Sequence, residues 1–231
     1  PYTAKLDVLA DKRTYVQGLI EEIYKKDIQK RVKIRNRAVF DAVMRYLIGN
    51  FGATTSIQNI VNDLAESGIK TKTDTVNRYI EALVSAKILM PCDRFDMKSR
   101  KSLKGEKKYY LSDLSFRFSE IGTRMADYGH LYENIVALEL LRRGYEVYVG
   151  QLYDKEIDFV AVKNGAKQYI QVSDDISRSE TFQREINPLL SIRDAYPKIL
   201  LAQIRHDPMQ YEGIQIIDLA QWLTNDAVSQ I

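Results

Sequence analysis

EIDFVAVKNGAKQYIQVS, residues 156–173, holds two strand-like runs on either side of Asn164-Gly165. Asn-Gly is the strongest short-range signal for a two-residue hairpin turn, because both central residues must take positive φ. Such a turn makes Lys163 and Ala166 the first facing pair. Counting back sets Asp158 opposite Gln171 and Glu156 opposite Ser173. Facing residues project from the same side of a sheet, with Cβ atoms about 5 Å apart. Alternation then puts Ile157, Phe159, Ile170 and Val172 on an apolar side and gathers Asp158, Glu156 and Gln171 on the other. Carboxylates and an amide oxygen on one face are donors of the kind that Mg2+ takes. Beside a phosphodiester, that ion lowers the pKa of a bound water and neutralises developing charge. An acidic strand end turned to solvent is the alternative reading.

Upstream of the hairpin, apolar spacing predicts a helix from Tyr128 to Arg143 that stops at Gly144. Glu133 precedes Val136 and Leu140 by three and seven residues, so it stands beside the apolar stripe, a position where glutamates are uncommon without a partner. Glu139, next to Arg142 and Arg143, reads as ordinary surface. Strands are expected at 146–149, 156–162, 168–172, 199–204 and 214–217, with a helix over 181–190 and a short closing helix around Trp222. This α-β-β-β-α-β-β-α order indicates a mixed sheet flanked by helices, an α/β unit.

The first half reads differently. Helices are predicted over 14–32 (Val16, Leu19, Ile20, Ile23, Tyr24 and Ile28 inward) and 37–49. Two more follow, at 56–64, capped by Ser56 and stopped by Gly68, and from an N-cap at Thr73. Extended runs at 88–95 and 108–111 flank a polar loop with Lys98, Arg100, Lys101, Lys104 and Lys107. Three helices and a hairpin with a basic tip are the order of a winged helix. Lys72, Asn77 and Arg78 are then candidates to reach DNA from the third helix. Lys98, Arg100, Lys101 and Lys104 are candidates for phosphate contacts from the wing. Asp74 and Glu81 on the same helix would repel phosphate, and the competing readings of the basic loop are a flexible, solubilising segment or a surface that docks an acidic partner, the chain's own second half included.

Charge divides the chain in the same place. Residues 1–125 carry 24 Lys and Arg against 15 Asp and Glu, whereas 126–231 carry 10 against 16, within an overall +3. Two modules with different partners are the usual cause of such asymmetry. With 231 residues, 45% of them hydrophobic, each half can bury its own core. No run approaches the ~18 apolar residues of a membrane span, and no secretory core opens the sequence. Cys92 is the single cysteine, and His130 and His206 lack metal-site spacing. A cytoplasmic location without membrane association is expected. Starting at Pro1 rather than methionine, the chain reads as a fragment of a longer protein or as a processed or trimmed form.

Residues 133–144 (ENIVALELLRRG), 156–161 (EIDFVA) and 169–173 (YIQVS) resemble the PD-(D/E)xK nuclease-like domain of a prokaryotic AAA-type ATPase family. Residues 25–31 (KKDIQKR), 75–83 (TVNRYIEAL) and 107–113 (KKYYLSD) resemble the same family, in the same order. The resemblance implies a helical linker over 1–35 from the end of an upstream ATPase module, a winged helix over 36–124, and a restriction-endonuclease-like αβββαβ domain over 125–231. It matches Glu133, Asp158 and Gln171 to the catalytic and metal-binding positions, with Mg2+ or Mn2+ as the cofactor. Ser173 stands where the motif has its lysine and cannot supply the ammonium. Lys155, Lys163 and Lys167 are the lysines that could stand in. ATP would bind only in the upstream module, since no GxxxxGK[ST] loop occurs in these residues. DNA and the upstream ATPase module are the implied partners, and an oligomer is compatible. Two classes of function remain: a nucleic-acid-processing protein with a weak or inactive nuclease-like domain, and a non-catalytic regulatory or protein-interaction module.

Overall fold

The computed structural model describes residues 9–99, 101–122, 128–204 and 207–225. The chain divides into two compact units, residues 1–91 with 106–126, and residues 92–105 with 127–231.

In the first unit, α1 (Leu9–Ile23) passes into a π turn (Tyr24–Ile28) and a last short piece, α2 (Gln29–Arg31). Val16, Ile20, Tyr24 and Ile28 are buried along it. Their four-residue spacing outruns the 3.6-residue turn, and a π turn absorbs the excess. Leu19, expected on the stripe, is 37% exposed. α3 (Arg37–Gly49) is capped by Asn36, whose side chain accepts the Val39 N–H at 3.2 Å. A two-residue strand, β1 (Thr54–Thr55), follows, then α4 (Ile57–Glu66) and α5 (Thr73–Ser85). Ser56 caps α4 by accepting the Asn59 N–H at 3.1 Å. Gly68, at φ 80°, ends it with the Gly68 N–H on the Ala65 carbonyl and the Ile69 N–H on the Leu64 carbonyl. Thr73 is not a cap: it is the first helical residue, and Lys72 holds the N-cap position without a side-chain bond. Phe40, Val43, Ile60, Val76, Tyr79 and Leu83 are among the residues that fill the core. β1 pairs antiparallel with β3 (Lys101–Leu111), the neighbour of β2 (Leu89–Asp96). A short helix, α6 (Ser115–Ile121), follows β3.

The second unit begins, after α7 (Tyr128–Arg142), with β4 (Glu146–Leu152), β5 (Lys155–Lys163) and β6 (Ala166–Ser173), all antiparallel neighbours. α8 (Ser179–Leu190) carries the chain to β7 (Lys198–Ala202), parallel to β6. β9 (Ile214–Asp218) lies parallel to β7, and the short β8 (Met209–Tyr211) folds back on it. α9 (Leu219–Thr224) closes the described chain. On the far side of β4, Asp93–Asp96 of β2 pair in parallel with Tyr148–Gln151. A mixed α/β architecture is therefore present. α8 covers one face through Ile186 and Leu189, packed on Ile157, Val160, Tyr169, Leu200 and Ile216. α7 packs against β4, β5 and β6, where Phe159, Ile170 and Val172 are buried outside that cluster. No helix among the described residues is long and apolar enough to cross a membrane.

Candidate functional site

The Asn164-Gly165 turn forms with φ of 52° and 79°, and the register runs without a break from Lys163↔Ala166 to Phe159↔Ile170. It ends there, because β5 carries a bulge. Tyr148 pairs with Val160 and Gly150 with Ile157, so one extra residue of β5 is fitted in at Asp158–Phe159. A bulge reverses the alternation. Ile157 accordingly shares the α8 face with Val160 and not with Phe159, which corrects the apolar face expected from simple alternation. Gly150 makes room: a Cβ there would meet Ile157 Cβ and Val160 Cγ2 at 2.9 Å.

Past the bulge, side chains replace the ladder. The Asp158 N–H donates to Gln171 Oε1 at 3.3 Å, and the Val172 N–H donates to Asp158 Oδ2 at 2.8 Å. Gln171 Nε2 donates in turn to Glu185 Oε2 on α8, at 3.2 Å. Arg184 meets the other Glu185 oxygen at 2.8 Å. Asp158, Gln171 and Glu185 are 6%, 8% and 9% exposed, so each of these bonds lies in a poorly hydrated place. Buried polar groups must be paired, and this chain of bonds pairs the backbone donors that the interrupted ladder releases.

Asp158 and Gln171 are thus brought together, and with them Glu185, which alternation in the hairpin alone did not reveal. Its spacing did carry a signal, since it stands three residues after Phe182 and four before Leu189, on the apolar stripe of α8. Glu133 is half-buried on α7, on the helix face of Val136, Ala137 and Leu140. Glu156 pairs with Gln151 of β4 rather than with Ser173. Ser173, buried at the end of β6, donates its hydroxyl to the Asp175 carbonyl at 3.2 Å. None of the three substitute lysines is directed at the site. Lys155 Nζ donates to Ser191 Oγ at 2.7 Å, Lys163 Nζ to the Arg143 carbonyl at 2.8 Å, and Lys167 pairs with Asp194 at 3.3 Å. Among the described residues, no group of three or more His, Cys, Asp or Glu is close enough to hold a metal ion.

Glu139 is not ordinary surface. Its side chain is 12% exposed and takes Arg142 at 2.7 Å and Arg143 at 2.6 Å. The Arg142 hydrogen bond, together with Arg143, holds its carboxyl below the usual range against the opposing effect of burial. Arg143 also donates to the Trp222 carbonyl at 2.7 Å and lies 4.3 Å over the Trp222 ring, which locks α7 to α9. Beyond the carboxyl ends of β6 and β7 opens a cleft of about 1110 Å3, walled by Tyr128, Tyr132, Phe182, Tyr211 and Met209 and edged by Asp174. Ligands of open α/β sheets sit beyond such strand ends.

The basic candidates are distributed more widely than the loop reading implies. Lys72, Asn77 and Arg78 are exposed at the start of α5, where Asn77 donates to Glu81 at 2.9 Å. Lys98 is exposed in the turn after β2. Lys101, Lys104 and Lys107 stand on β3, not in a loop, because the strand extends to Lys101. Arg100 and the Lys104 side chain lie outside the described residues.

Residues 1–126 match the family model of a domain of unknown function (DUF8612). The chain belongs to that family. Its DUF8612 stretch covers α1 to α5, β1–β3 and α6, and carries the candidates from Lys72 to Lys104. An uncharacterized protein of Haemophilus influenzae is 33% identical over 219 residues, which is 94% of this chain and 54% of the relative. Uncharacterized protein MJ1544 of Methanocaldococcus jannaschii is 27% identical over 179 residues, 76% of this chain and 39% of the relative. The chain thus spans about half or less of the length of these relatives. The crystal structure of protein VC1899 from Vibrio cholerae aligns over 81% of this chain and 53% of that one, at 12% identity and a TM-score of 0.24.

Proposed function

We propose that this chain is the nucleic-acid-binding part of a longer AAA-type ATPase, in which a winged helix is joined to a nuclease-like domain that no longer cleaves efficiently. The carrying observation is the state of the Asp158 site. Asp158 and Gln171 hold the hydrogen bonds that bridge the bulge, Ser173 stands where the resemblance puts the motif's lysine, and Lys155, Lys163 and Lys167 are engaged elsewhere. Losing one preorganised charge at a transition state lowers a rate on the order of a hundredfold or more.

The order α7-β4-β5-β6-α8-β7, with β6 and β7 parallel, supports the restriction-endonuclease-like reading. Helices α3, α4 and α5 followed by β2 and β3, with β1 paired to β3, support the winged helix. The two relatives extend well beyond the matched region, which leaves room for the ATPase module implied by the resemblance. Mg2+ or Mn2+ fits this donor set poorly: Gln171 Oε1 and Asp158 Oδ2 already accept backbone N–H groups, so binding would be weak and would leave most ligands to water.

Plasmid nicking in Mg2+ or Mn2+ tests the reading, with the natural protein, Asp158→Ala and Ser173→Lys. Little or no nicking by the natural protein is expected. Brisk cleavage that Asp158→Ala abolishes would overturn it. A second reading, a regulatory or protein-interaction module, draws on Asp74 and Glu81 beside Arg78 on α5. It gains if the natural protein fails to shift DNA at low salt.

A further inference from the structure

β4 and β5 are joined by the two-residue turn Tyr153–Asp154, closed by the pair Leu152↔Lys155. Tyr153 takes a φ of 57° and is 71% exposed. Positive φ at a tight turn is ordinarily met by Gly, Asn or Asp, as at Asn164-Gly165, and a bulky aromatic there is a strained choice. Beyond Lys98, whose Nζ lies over the ring, little packing offsets that strain. The turn therefore holds an aromatic face to solvent in a conformation that local energetics disfavour.

The surroundings indicate what such a face meets. The turn edges a cleft of about 560 Å3, bounded also by Met97 and Lys98 after β2 and by residues 190–194 at the end of α8. Lys98 Nζ lies 5.1 Å over the Tyr153 ring, and Lys155 and Arg193 line the same cleft. Two acidic residues, Asp154 and Asp194, line it too. Asp194 is already met by the Tyr169 hydroxyl at 2.6 Å and by Lys167 at 3.3 Å. Asp96, at the end of β2, accepts the Lys98 and Ser99 backbone N–H groups. Lys155 donates to the neutral Ser191 hydroxyl. Among the described residues, the Arg193 side chain has no hydrogen-bond or ion-pair partner.

A helix C-terminus draws cations by itself. At the end of α8, however, three of the last four carbonyls are already taken: Asn187 and Pro188 accept Ser191 N–H at 3.1 and 3.2 Å, and Leu189 accepts Ile192 N–H at 3.1 Å. Helix capping also leaves Tyr153 unexplained. Exposed aromatic faces between cations are the arrangement that receives unpaired bases and their phosphates.

We propose that this cleft binds single-stranded nucleic acid, one base stacked on Tyr153 and its phosphates against Lys98, Lys155 and Arg193. The inference rests on the nucleic-acid reading above and assigns it a site. A duplex has no free base to offer the ring, so the preference is for a single strand.

The test is fluorescence anisotropy with a labelled oligothymidylate of ~12 nucleotides, the span of one small single-strand site, and with the same strand made duplex. Tyr153→Gly removes the ring and relieves the backbone, so its melting temperature should be unchanged or raised while single-strand affinity falls roughly tenfold or more. Tyr153→Phe should bind as the natural protein does. Arg193→Ala should flatten the salt dependence by about 0.7 in the log–log slope. If Tyr153→Gly binds as tightly as the natural protein, or if the natural protein binds duplex alone, the inference falls and the nucleic-acid reading stands. Binding of neither form by the natural protein at low salt overturns both.

Discussion

Asp158→Ala distinguishes a structural carboxylate from a functional one. In the natural protein the Val172 N–H donates 2.8 Å to a carboxylate that is 6% exposed. Alanine removes the acceptor and leaves that donor buried without a partner, since the bulge keeps it out of the β5 ladder. Loss of a charge-assisted bond with an orphaned donor costs roughly 2–3 kcal/mol. For a chain of this size that corresponds to about 5–10 °C in melting temperature. Asp158→Asn keeps an acceptor oxygen and should lose about half as much. The assay is urea unfolding followed by the fluorescence of Trp222, the single tryptophan, which is 2% exposed in the same unit. Removing a carboxylate that serves chemistry rather than folding often raises stability. An Asp158→Ala midpoint equal to or above that of the natural protein would therefore refute the structural assignment and return Asp158 to the candidate catalytic residues.

Two further outcomes follow from the geometry, and a third from the charge of the basic stretch. Gly150→Ala should destabilise by roughly 1–3 kcal/mol, because its Cβ meets Ile157 and Val160 in a closed core; unchanged urea unfolding would mean that the bulge yields freely. Glu139 has a folded-state pKa below its ordinary value, so its pairing stabilises above the unfolded glutamate pKa of about 4.3 and is lost as pH falls through the lower folded value. Glu139→Gln should accordingly flatten the acid limb of the stability–pH curve below that point, and an unaltered limb would exclude the contribution. Replacing Arg100, Lys101 and Lys104 together with alanine should weaken duplex binding and reduce its salt slope by about 0.9 per lost phosphate contact, and an unchanged titration would exclude these residues as contacts.

What could be read from the residues was what local chemistry decides. Asn164-Gly165 specifies a turn, and the turn specifies the register as far as Phe159. Ser56, Gly68 and Gly144 mark helix ends for reasons confined to a few neighbouring residues. The bulge was illegible because Phe159, Val160 and Ala161 are all apolar: a strand buried on both faces gives no alternation from which a slip could be noticed. Glu139 next to two arginines reads as a solvated cluster unless Trp222, far along the chain, is known to lie against Arg143. β1 is two residues long, too short for any periodicity, and depends on Thr54 and Thr55 meeting Lys108 and Lys107. The destinations of Lys155, Lys163 and Lys167 likewise depend on partners supplied by other elements.

The parallel pairing of Asp93–Asp96 with β4 has a consequence for how this polypeptide can be dissected. Residues 92–105 group with the second unit although both flanking stretches of chain group with the first. A fragment cut where composition changes, near residue 125, would leave that strand behind and strip β4 along Tyr148–Gln151. An uncovered strand presents a row of free N–H and C=O groups, to which any passing chain can add. Aggregation of such a fragment would then record a missing neighbour rather than an unstable core. During synthesis the order is reversed: the hairpin that covers β4 emerges before β4 does, and is waiting when the last strands leave the ribosome.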